Sequence, residues 1–74
     1  MAVVRRLTEK TLERASRHSE VEGTVSLIDE GEKFIQIDTY GSSNREMPGK
    51  VSQSLRLSRE AFDKIVALGE KHFQ

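Results

Sequence analysis

Aromatic, hydroxyl, amide and guanidinium side chains share one face of three segments in which apolar and polar residues alternate. Such alternation is typical of β-strands with two unlike faces. On the polar face, the sequence places Thr24, Ser26, Phe34, Gln36, Tyr40, Ser52, Ser54 and Arg56. Aromatic rings stack on nucleic-acid bases, at about 1–3 kcal/mol per base, while polar groups reach base edges and phosphates. This face is therefore a candidate platform for single-stranded nucleic acid.

Other interpretations of this face remain open. Glu22 and Asp38 lie on the same face, where their carboxylates repel phosphate. Isolated exposed aromatic residues are also common on small sheets. Alternatively, Phe34 and Tyr40 are covered by an N-terminal helix or by a second subunit.

A polar loop follows the second of these segments and could hold an anion. It contains Ser42, Ser43, Asn44 and Arg45, and Lys50 lies just beyond it. Backbone N–H groups, hydroxyls and cations in a concave turn bind anions. The loop lacks the glycine-rich strand-to-helix setting of a P-loop, so a plain polar connection between strands is the alternative.

Catalytic and metal-binding chemistry has little support in the sequence. His18 and His72 are far apart, and each is expected at a helix end, where a cation favours the helix dipole. The serines have no evident histidine base. The acidic turn at Asp29, Glu30 and Glu32 does not match calcium-loop spacing, and the chain has no Cys. We expect no catalytic residue, no metal site, no cofactor and no enzyme activity.

Two helices and three strands are predicted to position these residues. Thr8 is a good N-cap, and Leu7 with Leu12 matches a hydrophobic staple, which predicts a helix over 9–18. Period-two alternation predicts strands at 21–27, 33–40 and 50–57. Ser58 and the repeat Phe62, Ile65, Val66, Gly69 and Phe73 predict a C-terminal helix.

The expected fold class is α+β, with an N-terminal helix, a three-stranded antiparallel meander and a C-terminal helix packed on one sheet face. Residues 1–74 are expected to form one domain, with a helical segment at 1–19, the sheet at 20–57 and the second helix at 58–74. The odd-numbered side chains of 21–27, 35–39 and 51–57 are expected to be buried beneath the C-terminal helix.

Composition and size limit the classes of function that the protein can have. The 12 basic and 12 acidic residues cancel, which excludes a strongly basic nucleic-acid binder at whole-chain level. Residues 1–18 nevertheless carry five Arg or Lys against two Glu, a local balance of +3 that suits phosphates or a solvated surface. With neither an apolar run of about 20 residues nor a signal-peptide pattern, we expect a cytoplasmic protein with no membrane partner. A domain of 74 residues is marginal alone, so we expect a homodimer.

Two sequence segments are fairly specific. Residues 34–42, FIQIDTYGS, and 48–54, PGKVSQS, resemble a group of short bacterial and mobile-element proteins of poorly defined function. The resemblance covers roughly residues 20–74. It implies no particular activity.

A second resemblance lies at the level of the fold. Residues 50–57, followed by Ser58-Arg59-Glu60-Ala61-Phe62, are similar to the last strand and capped helix of positive-cofactor-four-type transcriptional coactivators. In that family, an antiparallel sheet precedes one helix, the helices form a dimer, and the sheets bind single-stranded DNA. The resemblance implies a DNA-binding transcription regulator.

These observations lead to two functional hypotheses. The first is a small dimeric binding module for single-stranded nucleic acid, in which Arg45, Lys50 and Arg56 contact phosphates while Phe34 and Tyr40 stack on bases. The second is a protein-interaction regulator or inhibitor encoded by a mobile element. In that case, Tyr40 and Arg45 are the expected hot spots.

Overall fold

The computed structural model describes residues 1–41 and 50–74. Within them, the chain forms strands β1 (Ala2–Val4), β2 (Gly23–Glu30), β3 (Glu32–Tyr40) and β4 (Val51–Leu57), followed by helix α1 (Arg59–His72). The strands make one mixed sheet in the order β1-β4-β3-β2. β1 is parallel to β4, and the other two pairs are antiparallel. No helix among the described residues is long and apolar enough to cross a membrane.

β2 and β3 form the hairpin that the sequence predicts. Their register runs from Gly23 opposite Thr39 to Glu30 opposite Glu32. Gly31 makes the turn with φ +90°, a backbone conformation that favours glycine. Its N–H donates to Oδ1 of Asp29 at 3.3 Å, which closes the turn locally.

The fold-class prediction is wrong at the N-terminus, because residues 5–22 contain neither helix nor strand. The predicted helix at 9–18 offers only Leu12 and Ala15 as apolar contacts, and Leu12 is 63% exposed. A short helix without a packed apolar stripe is marginal in water, even when its start is well capped. Residues Ala2–Val4 instead add a fourth, parallel strand, so the sheet is not a three-stranded antiparallel meander.

A β-bulge moves one predicted core residue to the opposite face of the sheet. Thr39 lies opposite Gln53, whereas Tyr40 lies opposite Val51, which leaves Ser52 as the extra residue. Residues that lie opposite each other across a strand pair share a face. Val51 therefore shares the face of Tyr40, and its predicted place among the buried odd-numbered side chains is wrong.

Helix α1 begins where the sequence predicts. The Ser58 hydroxyl accepts a hydrogen bond from the N–H of Ala61 at 3.3 Å, as an N-cap does. Ser58 also holds the end of β1, because its N–H donates to the Val4 carbonyl at 3.1 Å and its hydroxyl to the Arg5 carbonyl at 2.8 Å. One serine thus joins the first strand to the helix.

The sheet has an apolar face, formed by Val25, Leu27, Ile35, Ile37, Leu55 and Leu57. The predicted burial of the odd-numbered side chains beneath the helix is wrong for most of them. Val25 is 66% and Leu27 83% exposed, Val21 and Leu55 are also exposed, and of this set only Leu57 is buried. Helix α1 approaches β3 and β4 and leaves β2 uncovered. Leu57 and Ala61 are the buried hydrophobic residues of the described chain.

Candidate functional site

The opposite side of the sheet is a polar face, and it collects most of the residues selected from the sequence. It carries Thr24, Ser26, Phe34, Gln36, Asp38, Tyr40, Ser54 and Arg56. The register places Gln36 between Ser26 and Arg56, and Asp38 between Thr24 and Ser54. No helix or strand covers this face in the described part of the chain.

A chain of hydrogen bonds runs along the polar face. Nη1 of Arg56 donates to Glu30 at 3.0 Å, and its Nε donates to Oε1 of Gln36 at 2.8 Å. Nε2 of Gln36 then donates to both carboxylate oxygens of Asp38 at 3.1 Å. Asp38 is 9% exposed, so its charge is largely turned away from solvent and already bonded. These hydrogen bonds fix the orientations of the side chains that they join.

Two guanidinium groups lie over the ring of Phe34, at one end of this series of hydrogen bonds. The Cζ atom of Arg5 is 5.7 Å from the centre of the ring, and that of Arg56 is 6.0 Å away. At these distances the ring attracts the cations through its quadrupole. Because Arg5 arrives from the segment after β1, the N-terminal strand contributes directly to the site.

Both guanidinium groups are also paired with carboxylates of the hairpin end. Arg5 donates to the two oxygens of Glu32 at 2.7 and 3.1 Å, and Arg56 is bonded to Glu30. The hydrogen bond from Arg5, together with its positive charge, lowers the pKa of the Glu32 carboxyl. In the free protein, the charges beside Phe34 are therefore balanced.

Tyr40 occupies the other end of the polar face. Its hydroxyl is 3.0 Å from Oγ1 of Thr24 on the neighbouring strand, within hydrogen-bond distance. Tyr40 lies six positions after Phe34 in β3, about 20 Å away at the rise of a β-strand. The two aromatic side chains therefore mark the ends of an extended surface and do not form one stacked pair.

The structure brings together Phe34, Gln36, Tyr40, Ser54 and Arg56, and separates other predicted site residues from them. Lys50 is exposed just before β4, and Ser52 is in the bulge. The predicted anion loop with Ser42, Ser43, Asn44 and Arg45 lies outside the described residues.

Arg5 is a member of the site that the sequence analysis does not identify. The +3 balance of residues 1–18 is the only sequence signal that points towards it. The helix predicted over 9–18 gave no reason to place Arg5 beside Phe34.

The described residues contain no group of three or more His, Asp or Glu side chains placed to hold a metal ion. The chemistry that the polar face offers is stacking, hydrogen bonding and ion pairing. Comparison of the chain with protein-family models, curated proteins and solved structures gives no match.

Proposed function

We propose that the polar face binds single-stranded nucleic acid. The observation that carries this proposal is the contact of the Phe34 ring with the guanidiniums of Arg5 and Arg56, on a sheet face that no helix or strand of the described residues covers. A base can stack on an aromatic ring or a guanidinium plane without regard to its sequence. The amide of Gln36 and the hydroxyls of Ser26 and Ser54 offer hydrogen-bonding groups beside that position.

In this proposal, phosphates bind by replacing the carboxylates that pair with the two arginines. Arg5 and Glu32 keep 64% and 51% of their side chains exposed, so water and incoming anions reach the pair. A phosphate presents the same paired oxygens as a carboxylate and binds the guanidinium fork in the same way. The carboxylates of Glu30 and Glu32 hold the two arginines in place until a phosphate replaces them.

The segment that joins β1 to β2 has a balance of only +1, because its five Arg or Lys are offset by Glu9, Glu13, Glu20 and Glu22. Its basic side chains Lys10, Arg14 and Arg17 lie in the exposed stretch 8–22. Charges of this kind attract a phosphate chain without base preference and make affinity depend on salt.

Fluorescence anisotropy with a labelled oligonucleotide of about 16 nucleotides tests the proposal. We expect binding at low salt that weakens steeply as salt rises from about 50 to 200 mM. Phe34→Leu keeps the apolar volume but loses the aromatic stack, so affinity should fall about 5- to 150-fold, the equivalent of about 1–3 kcal/mol. Phe34→Tyr should bind nearly as the natural chain does.

Two arginine variants test the role of charge in the same binding experiment. Arg56→Gln should weaken binding, whereas Arg59→Gln removes the same charge from the helix, where Arg59 is paired with Asp63. Equal effects of these two variants, or no binding at low salt, would contradict the proposal. Circular dichroism checks that each variant is folded.

A protein partner is the second candidate, and the balanced charges favour it. Because both arginines beside Phe34 already face glutamates, the free surface has no strong positive field there. Tyrosine and arginine in a hydrogen-bonded setting are common hot spots of protein interfaces. A stoichiometric protein captured by the chain, resistant to nuclease and lost in Tyr40→Ala, would support this function over the first.

A further inference from the structure

The chain exposes more surface than a compact protein of its mass. Its accessible surface is 6924 Å², whereas a compact monomer of 8.4 kDa exposes about 4,600 Å². The radius of gyration is 14.3 Å, against about 11 Å for a compact domain of this length. The segment between β1 and β2 accounts for part of the excess, and the apolar face accounts for another part.

Two apolar surfaces of the chain are exposed to solvent. On the sheet, Val25 and Leu27 of β2 are 66% and 83% exposed. On α1, a stripe formed by Phe62, Ile65 and Val66 is 37%, 46% and 38% exposed. No large side chain is fully buried among the described residues. A core of this kind is marginal against the conformational entropy of ordering the chain, and a partner that covered these surfaces would stabilise the fold.

We propose that a second copy of this chain covers the apolar face, with the α1 helix of each copy lying across β2 of the other. Each copy carries what this arrangement requires. The helix offers an apolar ridge, and a groove of about 480 Å³ lies beside it, lined by Leu27, Ile35, Leu57 and Phe62. The interface of a twofold dimer must be complementary to itself, and a patch that contains both a ridge and a groove meets this condition.

The extent of the exposed surface favours a second copy as the occupant. Each partner contributes roughly 800 Å² to a standard interface. The excess of about 2,300 Å² per chain is nearly three times that area, so the apolar side needs to supply only about a third of it. A partner needed for folding must also be present in equal amount, a condition that a second copy meets.

Charge is consistent with self-association. The chain has a formal net charge of zero, and the residues that define the apolar face and the helix stripe are uncharged. Two copies therefore approach each other on this side without strong repulsion. The charges at the hairpin end of this face and in the groove, Asp29, Lys33 and Arg59, are of mixed sign, so they do not select a strongly charged partner.

Cross-linking tests the proposed pairing directly, because the chain has no native Cys. Chains carrying Leu27→Cys and chains carrying Ile65→Cys are mixed, refolded together and treated with a short bismaleimide. Mass spectrometry should find residue 27 of one chain joined to residue 65 of the other. Ser26→Cys is the matched control: Ser26 is the neighbour of Leu27 but lies on the polar face, so it should give at least tenfold less product with Ile65→Cys. Equal yields would overturn the proposed arrangement.

Light scattering tests the association itself. The natural chain should have twice the mass of 8.4 kDa in solution, and Leu27→Asp should weaken association at least tenfold, while Ser26→Asp should not. A natural chain that is monomeric and stably folded would overturn the proposal. So would a chain that folds only after a different macromolecule is added, which would assign another occupant to the face.

Discussion

Each of the two arginines beside Phe34 contacts both a carboxylate and the face of the ring, and Arg56 also donates to Gln36. The carboxylate draws the guanidinium towards the hairpin end, while the ring holds it over the sheet. Under the proposed function, a ligand that brings its own anion replaces the carboxylate, and a base takes the place of the guanidinium on the ring. The ring and the two arginines are then positioned before binding, and the arginine charges are released by it.

The pKa of Glu32 offers a test of the Arg5 contact. Because Arg5 lowers this pKa, the ion pair is fully formed above the ordinary glutamate pKa of about 4.3 and is lost as pH falls through the lowered value. Arg5→Gln should raise the Glu32 pKa towards its ordinary range. An NMR titration of the side-chain carboxyl carbons measures this change. Arg59→Gln should leave it unaltered, and an unchanged Glu32 pKa in Arg5→Gln would contradict the contact.

At the scale of the elements, the end of β1 and the start of α1 depend on the same side chain. Ser58 is 6% exposed and uses its hydroxyl both to accept from Ala61 and to donate to Arg5. A substitution there loosens two elements that are far apart in sequence but adjacent in space.

Ser58→Ala should therefore cost more than the loss of an ordinary cap. Removal of an N-cap hydroxyl costs about 0.5–2 kcal/mol, and the lost bond to the Arg5 carbonyl adds about 1 kcal/mol. Urea denaturation measures the free energy of unfolding. Ser58→Thr keeps the hydroxyl and should lose less. A cost below about 0.5 kcal/mol for Ser58→Ala would show that the cap and the strand contact contribute little.

Elements with local signals could be predicted from the sequence. The helix start follows from Ser58 and the apolar repeat after it, and the hairpin follows from alternation on both sides of Gly31. The same alternation assigned Phe34, Gln36, Tyr40 and Arg56 to one face. In each case, the residues that determine the structure are neighbours in the chain.

Features set by distant contacts could not be predicted. Thr8 and Leu12 resemble a helix start, but a start signal does not supply the packing that a helix needs. β1 has three residues, too few to show a period, and Ala2 pairs with Leu55, 53 positions along the chain. The bulge at Thr39 and Tyr40 reverses the expected facing of Val51. The contact of Arg5 with Phe34 depends on the position of β1, so it was missed for the same reason.

At the scale of the whole molecule, the two sides of the sheet have different tasks under these proposals. The apolar side meets a second copy, and the polar side remains open. A dimer then presents two polar faces, and a single strand long enough to reach both would bind more tightly than a short one.

If the chain is stable only as a dimer, its thermal stability depends on the protein concentration. A chain that folds only when paired melts at a higher temperature when more of it is present, by mass action. Calorimetry over a range of protein concentrations should show the thermal midpoint rising for the natural chain and for Ser26→Asp. A midpoint that stays constant over that range would show that one copy folds unaided.

The side-by-side placement of β1 and β4 has a consequence for how the protein is made. The strand at 2–4 is translated 53 positions before the strand at 55–57 with which it pairs. During that interval, β1 has no strand to pair with. The β1–β4 edge therefore forms after the hairpin of β2 and β3 has been translated, and its long sequence separation slows its formation.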